Sequence, residues 1–220
     1  MTDIQSRLAE NLRRIEDRIT AACDRAGRPR DSVTLVAVTK TVSAEVAALL
    51  PVLGVPDLGE NRPQELWRKV EAIPGARWHF IGHLQRNKIE RTLPVVKLLH
   101  SIDSIRLLDA LEAAKLPVQG FLEFNCSGEA SKGGFAPGEV EELHQRMNTL
   151  SYVNITGVMT MAAPVDDPEQ ARPTFARLRA LGEQLRVPYL SMGMSGDFEA
   201  AILEGASHIR LGTILFEGIA

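Results

Sequence analysis

The chain has 220 residues, 45% of them hydrophobic, which suffices for one substantial core and is short for two α/β domains. Its 25 basic and 28 acidic side chains leave a formal charge of -3, without the basic excess that binding of DNA or RNA usually requires. Asp3, Arg7, Glu10, Arg13, Arg14, Glu16 and Asp17 break up the start of the chain and argue against a secretory leader, and no apolar run reaches bilayer length. The two cysteines, Cys23 and Cys126, stand far apart with no CxxC or Cys/His grouping of metal-ligand spacing, so a reduced, cytoplasmic protein without a metal site is expected.

Ile4, Leu8, Leu12, Ile15, Ile19 and Ala22 recur at spacings of three or four, the pattern of an amphipathic helix. Thr2 or Asp3 can cap its start, and Gly27 and Pro29 suit its end, so residues 1–28 are read as a helix packing on the body of the domain. From Ser32 onward the pattern changes to strand-like runs separated by helical stretches. The runs are SVTLVAVTK, VPDLGE, RWHFIGH, VVKLLHS, VQGFLEFNC, NITGVMTM, PYLSMGMS and SHIRLGTILF, of which the second and fourth are the least marked. Between them lie AEVAALLPVL, RPQELWRKVEA, RNKIERTL, SIRLLDALEAA, PGEVEELHQRMN, PEQARPTFARLRALGEQL and DFEAAILEG, with Ser43, Ser104 and Asp197 as helix caps. Eight strands and seven helices, with the N-terminal helix available as the eighth, predict one α/β domain over residues 1–220, a (β/α)8 TIM barrel. An open flavodoxin-like or Rossmann sheet is the alternative, but no GxGxxG follows the first strand. Linkers, low-complexity tracts and self-similar repeats are absent from the sequence.

Barrel active sites lie at the carboxyl ends of the strands. Lys40 follows the alternation Val33, Leu35, Val36, Val38 and emerges there, where partial desolvation would favour a neutral amine able to attack an aldehyde. Taken alone, it reads more readily as a solvated lysine at a strand end, and only its context reverses that. After the seventh and eighth strands, SMGMSGDFEAAI and RLGT offer the hydroxyls of Ser191, Ser195 and Thr213, with Gly193, Gly196 and Gly212 permitting close approach to backbone N–H groups. A phosphate fits such a cradle. The competing reading has Ser195 and Asp197 capping the next helix, with Gly212 relieving crowding in the core. Arg210 alternates with Ile209 and Leu211 and needs an acceptor in the interior, either a cofactor ring nitrogen or a carboxylate such as Glu123 or Glu60. In a closed barrel the eighth strand adjoins the first, which sets Arg210 and Thr213 beside Lys40.

The segments LVAVTK, GENRPQE, WHFIGHLQRNK, SIDS, NCSGEASKGGF, GVMTMAAP, LSMGMSGDFEAAI and HIRLGT, in this order, resemble the YggS/PROSC family of pyridoxal-phosphate-binding homeostasis proteins, relatives of the barrel domain of alanine racemase. The resemblance spans nearly the whole chain. It implies a fold-type III barrel in which Lys40 holds pyridoxal 5'-phosphate (PLP) as a Schiff base, the region of Ser195, Gly212 and Thr213 holds phosphate, and Arg210 faces the pyridine nitrogen. A guanidinium there disfavours ring protonation and weakens the electron sink. Asn61 and His79 match the GEN and WHF motifs and are expected to line the pocket, with a turn asparagine and a core histidine as their structural alternatives. Met194 is expected at the same pocket, and Met159, Met161 and Met192 as packing around the mouth. Lys132 matches a second family lysine, readable as a second aldehyde acceptor or as a solvated loop residue. At the end of the chain FEGIA departs from the family pattern, which leaves closure after the eighth strand open.

The expected function is a non-enzymatic PLP carrier in vitamin B6 homeostasis, delivering cofactor to apo-enzymes and acting as a monomer without nucleic-acid or membrane partners. An amino-acid racemase or a Schiff-base aldolase is the alternative. Racemisation in the related fold uses a tyrosine as second acid/base, whereas Tyr152 and Tyr189 fall before or at the start of strands, toward the wrong end of the barrel.

Overall fold

A computed structural model describes residues 3–129 and 133–219. Its strands are β1 (Thr34–Val38), β2 (Asp57–Glu60), β3 (Arg77–Phe80), β4 (Leu98–Ile102), β5 (Val118–Glu123), β6 (Val153–Met159), β7 (Tyr189–Ser191) and β8 (His208–Leu211). All eight expected strands form, and they pair in parallel, in chain order, into a closed barrel. The open-sheet alternative is thereby excluded. β2 and β4, the least marked in sequence, are buried along their entire lengths because helices cover one face and the barrel interior the other. Closure is set by β1 against β8, with Val36 opposite Arg210 and Ala37 opposite Leu211. The unusual FEGIA ending does not prevent it: Leu215 and Phe216 are buried just beyond β8.

The first helix, α1 (Asp3–Arg25), buries Leu8, Leu12, Ile15, Ile19 and Ala22, the stripe expected from their spacing. Its one buried polar residue, Asn11, donates from Nδ2 to the carbonyls of Leu215 and Glu217 at 3.1 and 2.9 Å. Arg18 forms a two-pronged pair with Glu199 of the last helix. Since the described residues after β8, 212–219, make only turns, α1 fills the place of an eighth outer helix.

The intervening helices are α2 (Ala44–Ala47), α3 (Leu49–Val52), α4 (Pro63–Ala72), α5 (Ile89–Thr92), α6 (Ile105–Ala113), α7 (Val140–Met147), α8 (Arg172–Leu185) and α9 (Phe198–Leu203). The run AEVAALLPVL divides at Ala48 into α2 and α3, and Pro51 has no N–H to continue a single ladder. RNKIERTL condenses to the single turn of α5 flanked by tighter 3-10 turns, with Pro94 in the second of these. Ser43 and Ser104 cap α2 and α6 by accepting from Val46 N and Leu107 N. Asp197 does not cap α9 with its side chain: its carboxylate accepts from Met194 N at 2.6 Å, tying the preceding loop instead.

Candidate cofactor site

At the carboxyl ends of the strands lies a cavity of about 740 Å³. Lys40, Asn61, Met194, Ser195, Arg210, Gly212 and Thr213 all line it, so the topology brings together seven of the eight residues singled out in sequence. Lys40 stands two positions past β1 and is exposed, so the protein alone does not supply the desolvation expected for its amine. The backbone beneath it is held firmly. Thr39 is fully buried and donates from Oγ1 to Glu60 Oε1 at 2.8 Å, while the Lys69 ammonium bonds both Glu60 Oε1 and the Thr39 carbonyl.

Arg210 is buried in β8 and borders the cavity floor. Its Nη1 donates to Ser191 Oγ at 2.6 Å and its Nη2 to the Thr160 carbonyl at 3.0 Å. Neither Glu60 nor Glu123 is its direct acceptor, because Glu60 is committed to Lys69 and Thr39. Burial lowers the Arg210 guanidinium to about 10, opposed by the charges of Glu123 and Asp197, so it stays charged at neutral pH.

On the neighbouring loops Ser195 Oγ accepts weakly from Ile214 N at 3.5 Å, joining the two segments predicted to hold phosphate. The backbone N–H groups of Ser195, Gly196 and Thr213 donate to no group among the described residues. A Cβ on Gly196 would meet nothing within 4 Å, whereas one on Gly212 would lie 3.2 Å from the Val38 carbonyl. Gly212 therefore also serves the close approach of β8 to β1, as the crowding alternative holds. Asn61 contributes an orphan: its Oδ1 is buried in the cavity wall with no hydrogen-bond partner. The wall is close there, since a Cβ on Gly82 would overlap the Asn61 backbone.

His79 does not line this cavity, which corrects its expected place. Side chains alternate along a strand, and on the face of His79 it is Ile81, two positions on, that reaches the mouth, with Gly82 and His83 beyond it. His79 sits a layer deeper, its ring nitrogens 2.8 Å from His100 Nε2 and 3.0 Å from Asp57 Oδ1, and it borders a smaller cavity of about 300 Å³ that Arg77 and Tyr189 also line. Among the methionines, Met161 and Met194 reach the mouth while Met159 and Met192 are buried, and no group of residues suited to a metal ion occurs among the described residues. Lys132 lies outside the described residues.

Sequence reasoning assigned no role to two titratable residues that line the mouth, His83 and Asp103, and named a third, Glu123, only as an acceptor for Arg210. His83 Nδ1 lies 2.6 Å from Asp103 Oδ2. Burial pushes Glu123 up to about 7, reinforced by Asp103 and opposed by Arg210 and His83. Their strand-end positions were the available signal, but no motif distinguishes a charged strand end from an ordinary loop residue. Together the cavity offers an accessible amine, a fixed cation, two hydroxyls with free N–H donors for an anion, and an unsatisfied amide oxygen. That donor set fits a phosphorylated aromatic aldehyde with polar ring substituents.

Residues 9–219 match the family described as alanine racemase, N-terminal domain. The chain is 41% identical over 219 residues to a pyridoxal phosphate homeostasis protein of Aquifex aeolicus, covering 94% of this chain and 96% of that one. The structure of PipY from Synechococcus elongatus with PLP bound superposes with a TM-score of 0.80 at 30% identity, over 95% of this chain and 99% of that one. An alanine racemase of Clostridium difficile superposes with a TM-score of 0.75 at 17% identity, over 94% of this chain and 59% of that one, a likeness of fold. The chain thus belongs to the alanine racemase N-terminal domain family, within the group of its pyridoxal phosphate homeostasis proteins.

Proposed function

We propose that this protein binds PLP at the barrel mouth, with Lys40 as the covalent attachment point, and serves as a non-enzymatic holder of the cofactor in the cytoplasm. The observation that carries this reading is the convergence of Lys40, Arg210, Ser195 and Thr213 on one cavity from opposite ends of the sequence. Bound there, PLP supplies an aldehyde carbon for the amine and a conjugated ring that can accept electron density. Ser195, Gly196, Gly212 and Thr213 would hold the phosphate through hydroxyl and N–H donors. Asn61 would satisfy its orphan oxygen with a donor on the ring. Arg210 would present its unused N–H donors to the ring nitrogen and, being a fixed cation, keep a proton off that atom.

The arrangement favours holding over turnover. Tyr152 precedes β6 and Tyr189 opens β7, at the ends of the strands away from Lys40, so neither tyrosine is placed as the second acid/base of a racemase. Release to PLP-dependent apo-enzymes by a monomeric carrier completes the proposed role. The exposed Lys40 supports it, because an amine open to solvent is open to exchange with other amines.

The purified protein should be yellow or become so with added PLP, and borohydride reduction should leave a pyridoxyl-phosphate mass on the peptide containing Lys40. Lys40→Ala should lose that adduct. A parent protein that stays colourless and takes up no PLP would sink the proposal. α-Proton exchange of amino acids with solvent should be negligible, and useful exchange rates would favour the racemase reading.

A further inference from the structure

A continuous row of hydrogen bonds crosses the barrel interior from one end to the other. Arg210 Nη1 reaches Ser191 Oγ at 2.6 Å, Ser191 Oγ lies 2.8 Å from His100 Nδ1, His100 Nε2 lies 2.8 Å from His79 Nδ1, and His79 Nε2 lies 3.0 Å from Asp57 Oδ1. Asp57, His79, His100, Ser191 and Arg210 are all buried, Asp57 at the edge of the second cavity.

The chemistry of its two ends gives this row one direction. Arg210 carries donors only, so Ser191 Oγ must accept from it, leaving the serine hydroxyl free to donate to His100 Nδ1. At the far end burial alone would raise the Asp57 carboxyl, but hydrogen bonds from His79 and Arg77 overcome this and hold it at about 2. Asp57 is therefore an acceptor only, and His79 must bear a proton on Nε2. Burial, reinforced by the neighbouring Arg210 cation, pushes His100 well below its ordinary value, so it is a neutral ring with one proton. Ser191 has no other acceptor for its hydroxyl proton among the described residues and gives it to His100 Nδ1, so the one proton of His100 lies on Nε2 and His79 Nδ1 accepts it.

We propose that Asp57, His79, His100 and Ser191 act as positioning residues for Arg210: a one-way hydrogen-bond chain in which both histidines are neutral Nε2–H tautomers orients the guanidinium. The proposal's consequence for cofactor affinity rests on the reading that the mouth holds PLP. The chain also explains how a cation without a contacting carboxylate is accommodated in the core, since each bond in a polarised row strengthens the next and the row ends on an anion. Asp57 thus acts on the mouth from the opposite end of the barrel.

Nitrogen-15 NMR of histidine-labelled protein without cofactor, near neutral pH, should show His79 and His100 as Nε2–H tautomers. Asp57→Asn replaces an acceptor-only carboxylate with an amide whose oxygen Arg77 would hold, presenting its NH2 to His79 Nε2, and should move proton density to Nδ1 in both rings. The same variant should retain borohydride-trapped PLP on Lys40 while binding PLP about tenfold more weakly, the scale of one hydrogen bond to a charged group. Ser191→Ala should weaken binding similarly by cutting the row beside Arg210, and Ser191→Thr, which keeps the hydroxyl, should restore most of it. These serine variants decide the matter if Asp57→Asn does not fold. The proposal is overturned if either ring of the parent protein carries its proton on Nδ1, or if Asp57→Asn and Ser191→Ala both bind PLP like the parent. A parent that takes up no PLP removes the cofactor reading, while the tautomers still decide the chain.

Discussion

Lys69 Nζ lies 2.5 Å from Glu60 Oε1 with both side chains sealed from solvent, and the same ammonium bonds the carbonyl of Thr39, the residue before Lys40. Such a pair has lost its hydration on both sides, so removing one member strands the other charge. Lys69→Met should lower the unfolding free energy by about 3–5 kcal/mol in denaturant titrations. Adding Glu60→Gln should recover much of that loss, because no lone charge then remains in the core. A single variant as stable as the parent would show that Glu60 finds another partner.

Glu123 gives a pH-dependent counterpart. Its carboxyl sits at about 7 in the folded protein against 4.5 as a free side chain, so folding is easiest with the proton on. That favourable contribution is complete below 4.5 and is lost as pH rises through about 7. Glu123→Gln should therefore be more stable than the parent at alkaline pH, by at most about 3 kcal/mol, and converge with it in acid. Thermal melts at several pH values check the crossing, and a constant difference across the range would contradict it.

Asp57 has the opposite sign. Its carboxyl falls to about 2 from 3.8, so its stabilising contribution is present above 3.8 and disappears as pH drops through about 2. The contribution should be no more than about 2 kcal/mol, reduced by whatever water reaches the second cavity. Acid unfolding of Asp57→Asn should accordingly show a shallower loss of stability between these limits than the parent, and equal slopes would count against the assignment.

The phosphate end of the proposed cofactor is tested separately from the amine. Ser195→Ala combined with Thr213→Val should weaken PLP binding by about one to two orders of magnitude, while borohydride still traps what is bound on Lys40. Pyridoxal without phosphate should bind parent and double variant alike. Equal loss for both ligands would move the phosphate elsewhere in the cavity.

The barrel was legible because hydrophobic alternation and helix caps such as Ser43 and Ser104 agree along the chain, and local and global signals coincide. The mouth was legible because Lys40, Ser195, Arg210 and Thr213 sit at strand ends, where period-two alternation and closure by β8 fix their neighbours. His79 was misplaced for a related reason: alternation tells that a residue points inward without telling which layer it occupies. Glu60 was considered only as an acceptor for Arg210, and its pairing with Lys69 escaped notice because a lysine and a glutamate nine positions apart give no sign in sequence of meeting in the core. Ser191 and His100 are 91 positions apart, and only the folded interior makes them partners.

Asn11 of α1 clasps the carbonyls of Leu215 and Glu217, and Lys40 and Arg210 come to line one cavity only when β8 closes on β1. During synthesis on the ribosome, a chain that has not yet formed β8 would have an amine at a strand end but lack the proposed ring partner and phosphate cradle. On the proposed reading, PLP capture would wait until β8 has joined the barrel, and a ligand that binds only the closed form would protect that form from proteolysis.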